Sequence, residues 1–326
     1  MADSIDYSRF EKHYPPKKKN SLAILMGFLL ILILLILTAW TLLKSKKNVV
    51  DMGSPITIDI IKSGNAILNP DKNSKNIEKI VQKELSETKG DYSVVIKNLK
   101  TGESYYFNQH KIFDSASLYK LFVMGTVFQK IQGGNLDKTD VLSQQITILN
   151  DKFKISSDSA ELTEGAITLP VQGALTRMIT ISDNYSALLL TEKVRLSQVA
   201  LFLNQNSLTD SHVGTNGESP TTSAFDTGSF FEKLYNEDLA SKSLTQDMLA
   251  LLKNQTLNTK IPKYLPKNTI IAHKTGELDY LSHDAGIVYT PKGDYVIVVM
   301  SETRSPVIAN EKIAKISKGI YEYFTY

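Results

Sequence analysis

Residues 117–131 read SLYKLFVMGTVFQKI, in which a serine and a lysine three positions apart open a strongly apolar run. Such a run is typical of a buried helix, and helical positions i and i+3 lie on one face. Lys120 can therefore take the hydroxyl proton of Ser117, provided that its amine is neutral part of the time. This stretch predicts a buried helix that carries an acyl-transfer nucleophile.

Two further motifs follow, SDN at residues 182–184 and KTG at residues 274–276. Short motifs also arise by chance in a chain rich in Ser and Lys, and here residues 86–89 read SETK and residues 100–102 read KTG. The first of these copies is followed by no apolar run, and the second lies between two alternating segments, as a hairpin turn does. The KTG at 274 follows a short apolar strand at residues 269–273. We therefore predict that the active copies are those at 117, 182 and 274.

These motifs, in this order, resemble the active site of class A β-lactamases and penicillin-binding D,D-peptidases, whose signature is S-x-x-K, S-D-N and K-T-G. Residues 178–184, 273–278 and 283–288 also look like class A segments. The resemblance covers residues 76–326 and implies an α/β fold (an α+β sandwich), with an antiparallel sheet built from both termini and flanked by helices. The patterns predict a helix, two strands, a predominantly helical stretch at residues 117–253, then strands and a closing helix at residues 310–324.

The resemblance implies four catalytic groups. Ser117 would be the nucleophile and Lys120 its base, with the charge of Lys274 helping to lower the pKa of Lys120. Ser182 would pass a proton to the departing nitrogen. The oxyanion hole would use the backbone N–H groups of Ser117 and Glu277. The Glu277 side chain, at a position more often small in the family, would then be incidental.

The resemblance also implies the substrate-binding groups. Asn184 would hydrogen-bond the side-chain amide of the substrate, while Lys274 and Thr275, followed by Gly276, would hold its carboxylate. Asp183 is expected to point inward and to hold its loop by accepting backbone N–H donors.

The clearest departure from class A β-lactamases concerns the omega loop. That loop carries a glutamate and, four residues on, an asparagine, which together position the deacylating water. We expect no such pair between Ser182 and Lys274, and the loop looks shortened, as in penicillin-binding peptidases of this fold. Glu218 is the candidate deacylating base. The alternative is that it lies beside a helix-capping turn, since residues 219–222 read SPTT.

The N-terminal region predicts a membrane anchor. Residues 22–43 form an apolar run without a charge or a proline, long enough for the roughly 30 Å hydrocarbon layer. We predict a cytoplasmic basic tail at 1–20, a transmembrane anchor at 21–43, a linker at 44–75 and a catalytic domain at 76–326. Five basic residues precede the apolar run and three follow it, which places the N-terminus in the cytoplasm and the catalytic domain outside.

Composition excludes several classes of protein. The chain has no cysteine and five scattered histidines, so neither a disulfide, a thiol nucleophile nor a metal or other cofactor is expected. Its positive charge belongs to the N-terminal tail and anchor flanks, which leaves the catalytic domain without a nucleic-acid surface. The expected partners are a β-lactam or a peptidoglycan stem peptide, and the lipid bilayer through residues 21–43.

Three functions compete at this point. The first is a membrane-anchored serine hydrolase that forms an acyl-enzyme with β-lactams or D-Ala-D-Ala peptides and deacylates slowly. The second is an acylated β-lactam sensor, which the short segment before the anchor argues against. The third is a non-catalytic cell-wall-binding module, which the complete motif set argues against.

Overall fold

The computed structural model describes residues 73–214 and 218–326. The predicted tail at 1–20 and anchor at 21–43, with most of the linker, lie outside these residues. Within the two described stretches, no helix combines the length and the apolar character that crossing a membrane requires. The anchor therefore stays a prediction.

A five-stranded antiparallel sheet is built from both ends of the described chain. In chain order its strands are β1 (Asp91–Asn98), β2 (Ser104–Phe107), β7 (Ile271–Leu278), β8 (Leu281–Val288) and β9 (Tyr295–Glu302). Their order in the sheet is β2-β1-β9-β8-β7, with β1 paired to β9 along its whole length. The predicted antiparallel sheet from both termini is confirmed, as is the hairpin turn at residues 100–102.

Both faces of this sheet are covered, and the period of two along β9 shows how. Val296, Val298 and Met300 belong to the larger core, whereas Ile297 and Val299 belong to a separate core on the opposite face. Alternate side chains of a strand point to opposite faces, so one strand serves two apolar layers. A strand covered on both sides reads as a continuous apolar run, which is how residues 295–300 read.

Two helices cover one face of the sheet, and most of the others cover the second face. The first layer is α1 (Lys75–Leu85) with the closing helix α9 (Pro306–Thr325). The helices between the two parts of the sheet are α2 (Tyr119–Gln132), α3 (Ile146–Lys152), α4 (Val171–Thr180), α5 (Asn184–Val194), α6 (Leu196–Gln205), α7 (Ala224–Tyr235) and α8 (Lys242–Lys253). Residues 120–128 of α2 are all buried, as the apolar run at 117–131 predicts.

The stretch predicted to be predominantly helical also contains two small sheets. Strand β3 (Phe113–Asp114) pairs with β6 (Thr221–Thr222), and β4 (Val141–Gln145) pairs with β5 (Ala166–Pro170). These strands are short and half exposed, so they bury too little apolar surface to leave a strong sequence pattern. Cross-strand pairs of hydroxyl residues, such as Ser143 and Thr168 at 2.7 Å, help to hold them.

The predicted strand at residues 269–273 is displaced. Strand β7 begins at Ile271 and continues to Leu278, so residues 274–276 lie inside the strand rather than after it. Pairing with β8 continues through Lys274↔Ala285 and Gly276↔His283. Polar residues on an edge strand that faces a cleft lack the apolar signal by which a strand is recognised.

Candidate active site

The nucleophile candidate lies in a tight turn that feeds helix α2. Ser117 is the middle residue of a 3₁₀ turn, Ala116–Leu118, and is partly exposed. The residue before it, Ala116, has a φ of 44°, in the left-handed region that non-glycine residues avoid. Such conformations persist only where the surrounding structure imposes them, and they concentrate at functional sites.

Lys120 lies in the first turn of α2 with a completely buried side chain. Its ammonium donates to Ser182 O at 2.6 Å, to Asn184 Oδ1 at 2.6 Å and, more weakly, to Ser182 Oγ at 3.3 Å. Burial lowers the pKa of Lys120 to about 8, against the charges of Asp183 and Glu161, which favour the ammonium form. The described hydrogen bonds do not include one from Lys120 to Ser117. The described hydrogen bonds of the amine are all with the SDN loop.

The SDN loop joins α4 to α5 and holds Ser182 at a φ of 61°. Asp183 is the N-cap of α5, and its Oδ1 accepts from Ser186 N at 2.7 Å, as expected for a residue that holds the loop. Arg177 donates to the other carboxylate oxygen at 3.2 Å. Burial opposes ionisation of Asp183, but the hydrogen bonds of Ser186 and the charge of Arg177 outweigh it and lower the pKa.

Lys274 brings a second buried ammonium to the same hydroxyl. Its Nζ lies 2.9 Å from Ser182 Oγ and 2.8 Å from Thr275 O, and its side chain is fully buried. Burial, and after it the positive charge of Lys120, lowers the pKa of Lys274 well below its usual range. The sequence predicted that the charge of Lys274 would lower the pKa of Lys120, but the effect runs the other way, from Lys120 to Lys274. A hydroxyl between two such amines is well placed to relay a proton.

Strand β7 passes close to the turn that carries the nucleophile. A Cβ on Gly276 would lie 3.1 Å from Ser115 O and 3.3 Å from Ala116 Cβ, so a side chain there would push strand and turn apart. Glycine at this position therefore brings the backbone at Glu277 next to the turn of Ser117. This juxtaposition fits the predicted oxyanion hole, whose two N–H donors remain a prediction.

The side chain of Glu277 is not incidental, contrary to the expectation from the sequence. Its Oε1 lies 2.5 Å from Nζ of Lys260, a completely buried lysine in the loop before β7. The contact is an ion pair without hydrogen-bond geometry, and Lys260 Nζ has no other partner among the described residues. Lys260 escaped the sequence analysis because an isolated lysine in a loop carries no motif.

A buried polar network holds the loop of Lys260 against the sheet. Asp284 of β8 accepts from Ile261 N at 2.9 Å through Oδ2, and its Oδ1 lies 2.9 Å from His273 Nδ1. His273 Nε2 in turn lies 3.1 Å from Asn258 Oδ1. Because Ile261 follows Lys260 directly, this network fixes where the third buried lysine of the cleft lies.

Glu218 forms its described ion pair with a residue outside the three motifs. Its side chain is 65% exposed and lies 3.5 Å from His212 Nε2, and no described hydrogen bond or ion pair links it to Ser117 or Lys120. Contrary to the expectation from the sequence, residues 182–274 do contain one glutamate with an asparagine four residues on, Glu232 and Asn236. Glu232 lies on α7 and pairs with Lys97 of β1 at 2.5 Å, so it serves helix–sheet packing. Helix α7 begins at Ala224, as predicted, and its N-cap is Ser223, the residue after the SPTT run.

Comparison with known proteins agrees with this geometry. The model of the β-lactamase enzyme family matches residues 75–324. The chain belongs to that family. β-Lactamase VEB-1 from Pseudomonas aeruginosa is 26% identical over 256 residues, covering 71% of this chain and 84% of the relative. The resemblance to class A β-lactamases and penicillin-binding serine hydrolases is therefore confirmed.

Solved structures share the fold. A β-lactamase from Sphaerobacter thermophilus superposes with a TM-score of 0.67 at 23% identity, over 76% of this chain and 97% of that chain. PBP-A gives a TM-score of 0.68 at 21% identity, over 78% and 98%. A single-residue variant of PBP-A, solved as an acyl-enzyme complex with penicillin G, gives 0.69 at 22% identity, over 78% and 98%.

The Lys260–Glu277 pair generates a stability prediction. Glu277→Gln leaves a buried ammonium without its counter-charge, and we expect a loss of about 1–2 kcal/mol, less than for a fully buried pair because Glu277 is half exposed. Adding Lys260→Met should recover most of the loss. Urea unfolding of the four proteins of this double-mutant cycle measures the coupling. Equal stability of wild type and Glu277→Gln would show that the charge of Glu277 does not stabilise the buried Lys260.

Proposed function

We propose that this chain is a membrane-anchored serine hydrolase whose Ser117 is acylated by β-lactams or by peptidoglycan stem peptides that end in D-Ala-D-Ala. The observation that carries the proposal is Ser182 Oγ between the buried amines of Lys120 and Lys274. Family membership supports the acyl-enzyme chemistry. The names of the relatives, a β-lactamase and a penicillin G acyl-enzyme, support β-lactams as acyl donors.

Acylation needs a proton path as well as a nucleophile. Neutral Lys120 takes the proton of Ser117 while the serine oxygen adds to the substrate carbonyl, whose oxygen becomes the anion in the oxyanion hole. Collapse of this intermediate breaks the bond to nitrogen, and Ser182 supplies the proton that the departing nitrogen needs. Lys120, which received the proton of Ser117, then passes it to Ser182 across their 3.3 Å contact, so that both groups return to their starting state. Lys274, with Thr275, attracts the substrate carboxylate.

Hydrolysis of the acyl-enzyme is proposed to be slow. Among the described residues no carboxylate is bonded to Ser117, and Glu218 and Glu232 are engaged elsewhere. Without a dedicated base, loss of the acyl group slows by about 10²–10⁴-fold relative to a complete site. The acyl-enzyme should therefore accumulate.

The location outside the cell is part of the same proposal. The anchor predicted at residues 21–43 would hold the catalytic domain at the outer face of the membrane, where stem peptides and β-lactams occur. The excess of basic residues before the run supports a cytoplasmic N-terminus.

The decisive experiment is single-turnover acylation of the full chain with a labelled penicillin. We expect mass spectrometry to place the label on the peptide that contains Ser117. Lys120→Ala should slow acylation by about 10²–10⁴-fold, because it removes the base. The matched controls are Ser86→Ala and Lys100→Ala, which alter the chance copies of the motifs and should leave acylation unchanged. Label on Ser86, or near-normal acylation of Lys120→Ala, would contradict the assignment.

Acylation should depend on pH through Lys120. Because the pKa of Lys120 is lowered to about 8 and only the neutral amine is a base, the rate should rise about tenfold per pH unit below 7 and level off above pH 8. Stopped-flow acylation between pH 5.5 and 9 measures this profile. A flat profile over the whole range would exclude a titrating amine as the base.

Deacylation should take minutes or longer, and Glu218→Gln should change it little, because the Glu218 carboxylate lies against His212 and solvent. The measurement is the decay of labelled acyl-enzyme after removal of free penicillin. Rapid turnover in wild type that collapses in Glu218→Gln would make Glu218 the deacylating base.

A further inference from the structure

A carboxylate that the motifs do not include reaches the substrate-binding asparagine. Asn184 Nδ2 donates to Glu161 Oε1 at 2.5 Å, while Asn184 Oδ1 accepts from Lys120 at 2.6 Å. The amide is therefore held at both ends and its NH₂ group is directed toward Glu161. Glu161 belongs to the loop between α3 and β5, and its side chain is exposed. A solvent-exposed anion thus lies beside the donor that the proposed function assigns to the substrate amide.

A buried tyrosine fixes this contact. Tyr185, directly after Asn184, accepts from Leu162 N at 3.1 Å and donates to Leu162 O at 2.7 Å, and Leu162 directly follows Glu161. Asn150 Nδ2 donates to the same carbonyl at 2.8 Å. Tyr185 is only 4% exposed, so the clamp lies in the protein interior. The loop that carries Glu161 is therefore held to helix α5 by the residues that directly follow Glu161 and Asn184 in the sequence.

The charge of Glu161 is felt within the site. It favours the ammonium form of Lys120, and it raises the pKa of Tyr119 in addition to the larger effect of burial. Two acceptors that share one amide NH₂ group lie about 5 Å apart. A group on the carbon next to a bound substrate carbonyl is therefore within Coulombic reach of the Glu161 carboxylate.

On the basis of the proposed function, we propose that Glu161 is a specificity-determining residue that selects acyl donors with a cationic group beside the amide carbonyl bound by Asn184. Because Glu161 is exposed and screened, the expected preference is several-fold rather than absolute. The same chemistry is offered by a penicillin with an α-amino group and by a peptide with a free ammonium at the corresponding carbon.

Three penicillins that share one bicyclic nucleus and one carboxylate test the inference. Penicillin G has no charge on the α-carbon, ampicillin has an amine and carbenicillin has a carboxylate. At pH 6.5, where the amine is protonated, we expect the full chain to be acylated about threefold to tenfold faster by ampicillin than by penicillin G. Carbenicillin should be slower by a similar factor.

Glu161→Gln keeps an acceptor for Asn184 and removes the charge, so these ratios should shrink to about one. The matched control is Glu164→Gln, which removes the same charge from an exposed site in the same loop and should keep the wild-type ratios. Comparing ratios between variants cancels the intrinsic reactivity of each drug. Ratios that persist in Glu161→Gln, or equal rates in wild type, overturn the inference while the proposed function stands. Failure of all three drugs to label Ser117 overturns the proposed function itself.

A peptide arm distinguishes the two sources of the cation. Release of D-Ala from Gly-D-Ala-D-Ala, whose ammonium corresponds to that of ampicillin, is compared with release from its N-acetyl form. A preference for the free amine that Glu161→Gln removes identifies cationic peptides as substrates. Preference among penicillins with no release from either peptide restricts the selection to β-lactams.

Discussion

Two buried ammonium groups point at one serine hydroxyl, and the architecture must hold them there against their own repulsion. Lys120 Nζ and Lys274 Nζ both lie close to Ser182 Oγ, at 3.3 and 2.9 Å. Burial lowers the pKa of Lys120 to about 8, and burial together with the charge of Lys120 lowers the pKa of Lys274, so that neutral amine is available near neutral pH. The chemistry therefore depends on three elements, α2, β7 and the SDN loop, that do not yield to this repulsion.

Strand β8 of the sheet holds these elements in place. Strand β8 anchors the nucleophile side through His283, whose Nε2 lies 3.0 Å from Asp114 O, shortly before the turn of Ser117. Burial lowers the pKa of His283 to about 4, so the ring stays neutral and its hydrogen bonds keep one direction. The next residue, Asp284, anchors the loop of Lys260. Adjacent residues of one strand thus connect both walls of the cleft to the core.

The sequence predicts those elements and site residues that leave an apolar period or a short motif. The buried helix behind Ser117 and the helix start at Ala224 follow from apolar spacing and capping residues, whereas the antiparallel sheet from both ends of the domain is what the family resemblance implies. The convergence of the three motifs follows from the family resemblance. Pairs between distant loops have no such signal. The contact of Lys260 with Glu277 and that of Glu161 with Asn184 join segments whose spacing no local pattern records.

Short strands are a second kind of element that the sequence does not predict. Strands β3 and β6 contain two residues each, too few for a period of two to be visible, although they fix the chain just before Ser117. The extension of β7 through residues 274–276 was missed because its polar side chains serve the cleft.

Positive φ angles at Ala116 and Ser182 have a consequence for how such a protein can evolve. Each costs about 1–2 kcal/mol of folding free energy, a noticeable part of the 5–15 kcal/mol that a typical domain possesses. The densely packed sheet and helical core offset this cost, but the free energy of unfolding that remains is limited. Substitutions that broaden the substrate range by loosening the cleft lower this free energy of unfolding further. We therefore expect variants with new activity to appear mainly in backgrounds already stabilised elsewhere, in the layer of α1 and α9 for example, far from the strained turn.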